Sequence, residues 1–500
     1  MKIKKLIQSH WPEILLGIII VAYIGYFSYF SILRYRTLYS HYFDLGIMHQ
    51  TVYNTFISLK TGDFTRFLEL TNPHGFDQIK RMAIHNDMFL ALMAPFYFIY
   101  SGPEMLLVIQ AIAVGLGTLA VYGISKVVFH KMRNTRLIAL FFSFVYLMYP
   151  PLQRATQFDF HAVVLATPLI LLMFYLYLQK RLLLSFLCAI AIVLTKEQVG
   201  LTLASFGSIT LLQNGLQMGK KEYSRKIVLF GVSLIVMGIG WFILSMTYII
   251  PYFRHGVHFA LEYFGDFGDS PTSVFIGLIK NPLRISSYLF RKDTYEYLYT
   301  ILGPMGFLSL FSPIHLIIAA PELAINLLSK SQAMRNTYFH YTAVITPFIV
   351  ISAIYGFRFC IRMIPKVNKY IWMFISFNVA CVIYFSITQS PLPYSLRKEI
   401  HPFAWPVNAR FDAFEWQRIL ADDGIKVMAS GSLAPVFASR RYLYNFSEKY
   451  DLADYIVLSR EEVYNGYEYF KTIKPYEKLV NDIRYTNIYK NGTFEVYKKL

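Results

Sequence analysis

Residues 182–213 read LLLSFLCAIAIVLTKEQVGLTLASFGSITLLQ, an apolar stretch interrupted near its middle by Lys196 and Glu197. As one helix it would bury a lysine and a glutamate at the centre of a bilayer, where ionisable side chains are costly. It would also leave the basic connection Lys220, Lys221, Arg225 and Lys226 on the outer side, against the tendency of Lys and Arg to stay cytoplasmic. Two helices joined at Lys196–Glu197 satisfy both constraints. That reading places the pair at the outer surface and sets the direction of every later span.

The rest of the chain has the composition this implies. Of 500 residues, 55% are hydrophobic, 17% aromatic and only 16% charged, against roughly 25% charged in an ordinary globular chain. The apolar residues fall in long uncharged runs, the signature of a polytopic α-helical membrane protein. The net charge of +18 sits largely in short clusters between those runs, as in cytoplasmic loops. No Gly-rich phosphate loop or nucleic-acid module is present, so nucleic acid is not an expected partner. The three cysteines, Cys188, Cys360 and Cys381, lie in or beside apolar runs, which implies neither a disulfide framework nor a zinc site.

Toward the N-terminus, Lys2, Lys4 and Lys5 precede the uncharged run Ile14–Leu33, read as a retained first span with a cytoplasmic N-terminus. An outer loop follows and, with the short Pro95-broken run Met88–Pro103, forms the connection 34–103; that run reads as interfacial or re-entrant. Further spans are expected at Met105–Gly123, Leu137–Gln153 and Ala162–Gln179. Beyond the opening stretch, Ile227–Tyr252 leads to a second outer loop, 253–296, with a surface helix at Val274–Phe290. Tyr297–Ser329 is read as two spans broken at Ser312–Pro313, and Tyr341–Phe357 and Tyr370–Thr388 close the membrane part at about residue 390. The expected total is about eleven spans, each needing roughly 20 apolar residues. Residues 391–500 change in character: a helix at Arg410–Asp422, short strands, and an Asn491–Gly492 hairpin turn predict a small extracytoplasmic α/β domain.

This topology gathers ionisable residues from separate connections at one membrane face. In the first loop, Asp44 lies among Tyr42, Phe43, Leu45 and Gly46, with no Lys or Arg within five residues. Behind it Leu45, Met48, Val52, Phe56 and Leu59 follow helical spacing, as in a helix lying on a membrane. A helix-capping role is the plain alternative for the acid. His85, Asp87, Arg154, Asp159, His161, Lys196, Glu197, Tyr338 and His340 fall at the same face, and Glu322 lies within a span. Carboxylates, histidines and cations opening to both lipid and water suit a lipid-linked anionic substrate. Asp44 would take a proton from an acceptor hydroxyl, Arg154, Lys196 and the histidines would meet phosphate charge, and Asp44 with Asp159 would hold a divalent metal if one is used. A transporter or flippase of a lipid-linked or anionic solute is the alternative, but the polar groups cluster at the outer edge rather than the bilayer midplane.

Several motifs together resemble a known family. Tyr42-Phe43-Asp44-Leu45-Gly46-Ile47 with Gln50, His85-Asn86-Asp87, Phe158-Asp159-Phe160-His161, Thr195-Lys196-Glu197, Pro321-Glu322-Leu323, and Tyr338 with His340-Tyr341 are similar to a prokaryotic family of polytopic membrane proteins of unknown function. That family in turn resembles the GT-C class of integral-membrane glycosyltransferases, such as the aminoarabinose and protein O-mannosyl transferases. The resemblance implies a GT-C-like membrane domain over 1–390, a polyprenyl-phosphate sugar as donor, a cell-envelope glycan, lipid or protein as acceptor, and Asp44 and Asp159 as the catalytic acids. It leaves a divalent metal, Mg or Mn, open, because Asp44 is single where better-known members carry an acidic pair.

Overall fold

The computed structural model describes residues 2–215, 221–363, 371–401, 410–466 and 468–500. Of the basic positions that set the expected topology, Lys220 lies outside these ranges. A long helix α1 (Lys2–Arg36), kinked at His10 ahead of Pro12, leads into the first loop. There a π-helical turn, Tyr42–Gly46, runs directly into α2 (Ile47–Thr61), which ends at the left-handed Gly62. A two-stranded antiparallel ribbon, β1 (Glu69–Thr71) with β2 (Gln78–Lys80), follows, then the short 3-10 helix Met88–Phe98. Leu92, Phe96, Phe98 and Ile99 around that helix are exposed, as an interfacial segment requires.

The bundle is built from α3 (Glu104–Val128), α4 (Thr135–Leu147), α5 (Pro150–Gln157), α6 (Ala166–Leu178), α7 (Leu182–Val193), α8 (Val199–Gly215) and α9 (Lys221–Leu244). The 182–213 stretch divides as expected, with Lys196 and Glu197 in the turn between α7 and α8. A π-helical turn continues α9 into α10 (Ile250–Arg254), and α11 (Pro271–Lys280) and α12 (Pro282–Leu289) occupy the second loop, expected as one surface helix. Then come α13 (Lys292–Leu302), α14 (Pro313–Leu316), α15 (Ala320–Leu328), α16 (Thr346–Met363) and α17 (Ile371–Gln389).

Five of the described helices are long and apolar enough to cross a membrane, or six if α4 and α5, bent by 50°, count as one span. The count of about eleven is therefore not reproduced. Apolarity predicted the segments, but their breaks shortened them. Tyr297–Ser329, expected as two spans, is a chain of short α and 3-10 pieces interrupted at Gly303–Pro304, Gly306, Ser312–Pro313 and Pro321; proline cannot donate to the helix ladder and crowds the preceding turn. The hairpin helices α7 and α8 are 12 and 17 residues long.

Glycine decides the closest packing. A Cβ on Gly238 of α9 would stand 2.2 Å from the Gly200 carbonyl oxygen of α8, and one on Gly207 would stand 2.5 Å from the Gly231 carbonyl oxygen. Small residues at such crossings let backbones approach.

The C-terminal segment folds as α18 (Arg410–Ile419), α19 (Arg460–Asn465) and α20 (Tyr469–Val480) around a sheet of β3 (Val427–Ala429), β4 (Leu443–Asn445), β5 (Tyr455–Ser459), β6 (Tyr485–Asn491) and β7 (Phe494–Lys499), in the order β4-β3-β5-β7-β6. β3 is parallel to β4 and β5, while β7 pairs antiparallel with β5 and β6. The hairpin turn falls at Gly492 with φ +57°.

This sheet does not stand apart. Tyr42, Leu45, Met48 and Val52 of the first loop share one apolar core with Leu433, Val436, Phe437, Leu443 and Phe494. The polar face of α2 is buried as well. His49 contacts Tyr97 Oη at 2.7 Å and Ser439 Oγ at 2.8 Å, Gln50 donates to Arg440 O and Arg441 O, and Asn54 donates to Glu69 O. So α2 is a filling between two layers rather than a helix lying free on a membrane.

Replacing Gly238 by leucine should force α8 and α9 apart and cost about 1–3 kcal/mol or more, as overpacking does. A clearly lowered thermal midpoint in detergent, with Gly240→Leu as the control (nothing lies within 4 Å of a Cβ there), checks this.

Candidate functional site

The loops and helix ends enclose a cavity of about 270 Å³ lined by Phe43, Asp44, Arg81, His85, Asp87, His161, Lys196, Phe259, His340 and Tyr341, among others. Six of the expected site residues therefore line one cavity: Asp44, His85, Asp87, His161, Lys196 and His340. Glu197 stands directly behind His85. Asp159, Arg154, Tyr338 and Glu322 are not among the lining residues.

Asp44 is the third residue of the π-helical turn, and its side chain caps nothing. Its Oδ1 lies 3.3 Å from His161 Nε2. His161 Nδ1 is 3.0 Å from the Asp159 backbone oxygen, and a carbonyl only accepts, so Nδ1 carries the hydrogen. In a neutral His161 the Nε2 lone pair then faces a carboxylate oxygen. The two attract only with a proton or a metal cation between them. His340 stacks on His161 with centroids 3.7 Å apart and planes at 23°. Burial holds its imidazole well below the ordinary range, which keeps His340 neutral, and its Nδ1 has no hydrogen-bond partner.

Asp159 is fully buried and works behind the turn. Its Oδ1 accepts from Ser40 Oγ at 2.6 Å and Arg34 Nε at 3.4 Å, and its Oδ2 accepts the His41 backbone N–H at 3.0 Å. Arg34 also donates to Tyr338 Oη at 3.0 Å and lies over the Phe158 ring, 5.0 Å from its centroid. Arg154 donates to Gln389 O at 2.6 Å and to Thr337 Oγ1 at 3.1 Å. Arg154 and Tyr338 thus tie connections together outside the cavity. Glu322 is buried with Oε1 unpartnered.

Also in the lining, Arg81 grips Asp87 through Nε and Nη2 at 2.8–3.1 Å, while its buried Nη1 has no partner. Lys196 has no ion pair among the described residues. The cavity therefore holds one uncompensated ammonium and one free guanidinium N–H edge, which is the chemistry of an anion site.

His85, Glu197 and His258 lie close enough to share an ion, their donor atoms all within 4.8 Å of one another. Their hydrogen-bond partners point elsewhere. His258 Nδ1 accepts the Ala260 N–H at 2.9 Å, so Nε2 carries the proton and lies 3.3 Å from Glu197 Oε1, without hydrogen-bond geometry. A protonated nitrogen is not a metal ligand. Glu197 also accepts the Asn86 N–H at 3.0 Å, and His85 Nδ1 at 2.8 Å. Burial pushes the His85 imidazole down, to about 3, leaving it neutral. Burial opposes the charge on Glu197, but the nearby His85 and His258 imidazoles and the Asn86 N–H outweigh it and hold the carboxyl well below its usual range. The cluster fits a hydrogen-bonded relay that fixes His85 better than it fits a metal centre.

Reading the sequence did not single out Arg34, Ser40, His41, Arg81 or His258 as site residues. Arg34 and Arg81 had the one available signal, a basic residue in or beside an expected outer loop; Ser40 and His41 became visible only through Asp159, and His258 only through Glu197, each a contact between separate connections.

The fold and site define a multi-pass membrane protein whose cavity, beside the ends of its helices, carries acids, imidazoles and free cationic donors. The chain belongs to the predicted membrane protein family DUF2079, whose profile matches residues 34–491. A comparison with curated protein sequences finds no match. Among solved structures, it is similar to ArnT from Cupriavidus metallidurans in the apo state, at 11% identity and TM-score 0.47, covering 91% of this chain and 93% of that one. It is also similar to the oligosaccharyltransferase AglB from Archaeoglobus fulgidus in complex with an inhibitory peptide and a dolichol-phosphate, at 11% identity and TM-score 0.46, covering 99% and 75%. For the Archaeoglobus fulgidus enzyme in complex with Zn and sulfate the values are 13% and 0.43, and this chain spans 64% of that chain's length.

Substituting Glu197 by alanine strands the His85 and Asn86 donors and should cost about 3–5 kcal/mol, as removal of one partner from a buried charged network does. A carboxylate held low contributes stability above its unfolded pKa of roughly 4.3, and loses it as pH falls through the lowered folded value. The gap between wild type and Glu197→Ala in thermal melts should therefore hold steady from pH 7 to about 5 and narrow as pH falls from about 4 toward 3; a gap that stays constant over the whole range would contradict the assignment.

Proposed function

We propose that the protein is a membrane glycosyltransferase that moves a sugar from a polyprenyl-phosphate donor to a cell-envelope acceptor at the outer face. One observation carries this reading: the Asp44–His161 carboxylate–imidazole pair shares a small cavity with Lys196, which has no ion pair among the described residues, and with the unpartnered Nη1 of Arg81, whose charge Asp87 meets through Nε and Nη2. The loop motifs that resemble GT-C enzymes contribute residues to that cavity.

In this mechanism the acceptor hydroxyl gives its proton to Asp44, whose Oδ1 lies 3.3 Å from His161 Nε2. The freed oxygen attacks the anomeric carbon, the bond from that carbon to the phosphate oxygen breaks, and the electron pair leaves with the phosphate. Lys196 and Arg81 Nη1 meet the charge that develops there. Asp159 acts by position, holding Ser40 and His41 so that Asp44 faces His161. A divalent ion, Mg or Mn, would be held by Asp44 and His161, whose 3.3 Å contact suits neighbouring ligands on one ion, and would supply charge stabilisation at phosphate oxygens. Both Asp159 oxygens are already engaged, so it is not a ligand in this scheme.

Purified protein in nanodiscs, given labelled polyprenyl-phosphate sugars and extracted envelope acceptors, should transfer sugar. Asp44→Asn should lower kcat by roughly 100-fold or more. Robust transfer by a well-folded Asp44→Asn protein would sink the base assignment. The absence of both turnover and donor binding across a broad panel would sink the enzyme reading and leave the transporter alternative. If a metal is used, the Mn(II) resonance signal of the bound ion should vanish in His161→Ala and persist in His258→Ala.

The proposed orientation has its own check. In a background without native cysteines, Ile483→Cys, on a side chain 90% exposed in the C-terminal domain, should react with an impermeant maleimide on intact cells. Arg133→Cys, between α3 and α4, should react only after lysis.

A further inference from the structure

The C-terminal domain touches the Asp44 turn at a well-defined point. Gly431 and Ser432, just past β3, and Glu462 of α19 surround the side chain of His41. Tyr42 donates its backbone N–H to Gly431 O at 2.8 Å, and Glu462 Oε1 lies 3.7 Å from His41 Nε2. Glu462 is itself fixed, because Ser432 donates its N–H to both carboxylate oxygens at 3.1 Å and its hydroxyl to Oε2 at 2.5 Å. Position 431 has no room for a side chain: a Cβ would stand 2.1 Å from His41 Nε2 and 2.8 Å from Glu462 Oε1.

The backbone of His41 carries this grip to the cavity. Its N–H donates to Asp159 Oδ2 at 3.0 Å. Its carbonyl accepts the N–H of Asp44 and of Gly46, each at 3.2 Å. His41 is thus held through its ring by the C-terminal domain, through its N–H by the second connection, and through its carbonyl by the turn that aims Asp44 at His161. The ring of His41 also stacks on Phe43, 5.8 Å between centroids, and Phe43 lines the cavity.

We propose that Glu462, seated by Gly431 and Ser432, is a positioning residue for Asp44, so that the C-terminal domain sets the geometry of the catalytic turn through His41. The catalytic consequence rests on the glycosyltransferase reading above; the mechanical coupling does not. Placement within about half an ångström matters for such groups, and His41 is where the C-terminal domain, Asp159 and the turn meet. The domain supplies that rigidity from outside the cavity, since none of the cavity's lining residues comes from it.

Hydrogen–deuterium exchange of the full chain in nanodiscs tests this without a substrate. Glu462→Gln keeps an oxygen acceptor for Ser432 and removes the charge beside His41; Gly431→Ala displaces the ring and leaves every charge in place. Both should speed exchange at the Asp44 and Gly46 amides about tenfold, while strands 427–429 and 455–459 keep wild-type protection, and Glu462→Asp should recover part of the loss. Unchanged exchange at 44 and 46 in both variants overturns the proposal. So does acceleration spread evenly over the sheet, which would make Glu462 a structural residue of its own domain. Where transfer is measured, Glu462→Gln should lower kcat about tenfold with donor KM unchanged, the pattern of a misplaced catalytic group. Faster exchange in a protein that transfers no sugar would keep the coupling and discard the enzyme; wild-type transfer with unchanged exchange would do the reverse.

Discussion

The carboxylate of Asp159 is the constraint on which the rest of the site depends. It is wholly buried and has three donors, from Arg34 at the end of the first helix and from Ser40 and His41 at the start of the first loop. A charge in that position is tolerable only because those donors replace its water. The same bonds stitch the first loop to the connection between α5 and α6. Two residues further on, His161 donates to the Asp159 carbonyl and thereby turns its other nitrogen toward Asp44. One buried acid thus sets both halves of the pair that faces the cavity.

Around that pair the polar accounting is uneven in an informative way. Asp87, Glu197 and Asp159 each have several donors, as buried acids generally must. Two unpartnered groups, Arg81 Nη1 and His340 Nδ1, belong to residues that line one cavity, where Lys196 also stands without an ion pair among the described residues. Other buried polar atoms without partners are scattered through the described residues, but here two N–H-bearing cationic side chains face a common space, which is the setting an anionic ligand needs. The C-terminal domain completes the arrangement from the other side. It shares its apolar core with α2 and supplies acceptors to Gln50, so the loop that carries Asp44 is sandwiched rather than suspended.

The histidines show how chemistry and hydrogen bonding separate two similar clusters. His85, Glu197 and His258 have the composition of a metal site, yet the Ala260 amide fixes the tautomer of His258 and closes that option. Asp44 and His161 have fewer donors but leave a lone pair facing a carboxylate, which opens it.

Much of this was legible in residue order, and the reasons are local. Long uncharged runs identified a membrane protein because apolar length is a direct requirement of the bilayer. Lys196–Glu197 broke its stretch into two helices because paired charges are costly at mid-membrane, and Asn491–Gly492 marked a hairpin because its turn needs positive φ. The same local reasoning brought Asp44, His85, Asp87, His161, Lys196 and His340 to one cavity. It reached less far where packing across the chain decides. Proline and glycine divided apolar runs such as Tyr297–Ser329 into short pieces, so the count of about eleven spans is not reproduced, and Asp159, Arg154 and Tyr338 bind other protein groups rather than line the cavity. The sequence by itself determined that the chain is a membrane protein and where the 182–213 stretch divides, since those follow from hydration and the cost of charge in an apolar run. Only the tertiary structure decided which acid faces the cavity and which is consumed behind it, because that choice rests on donors more than 100 residues away.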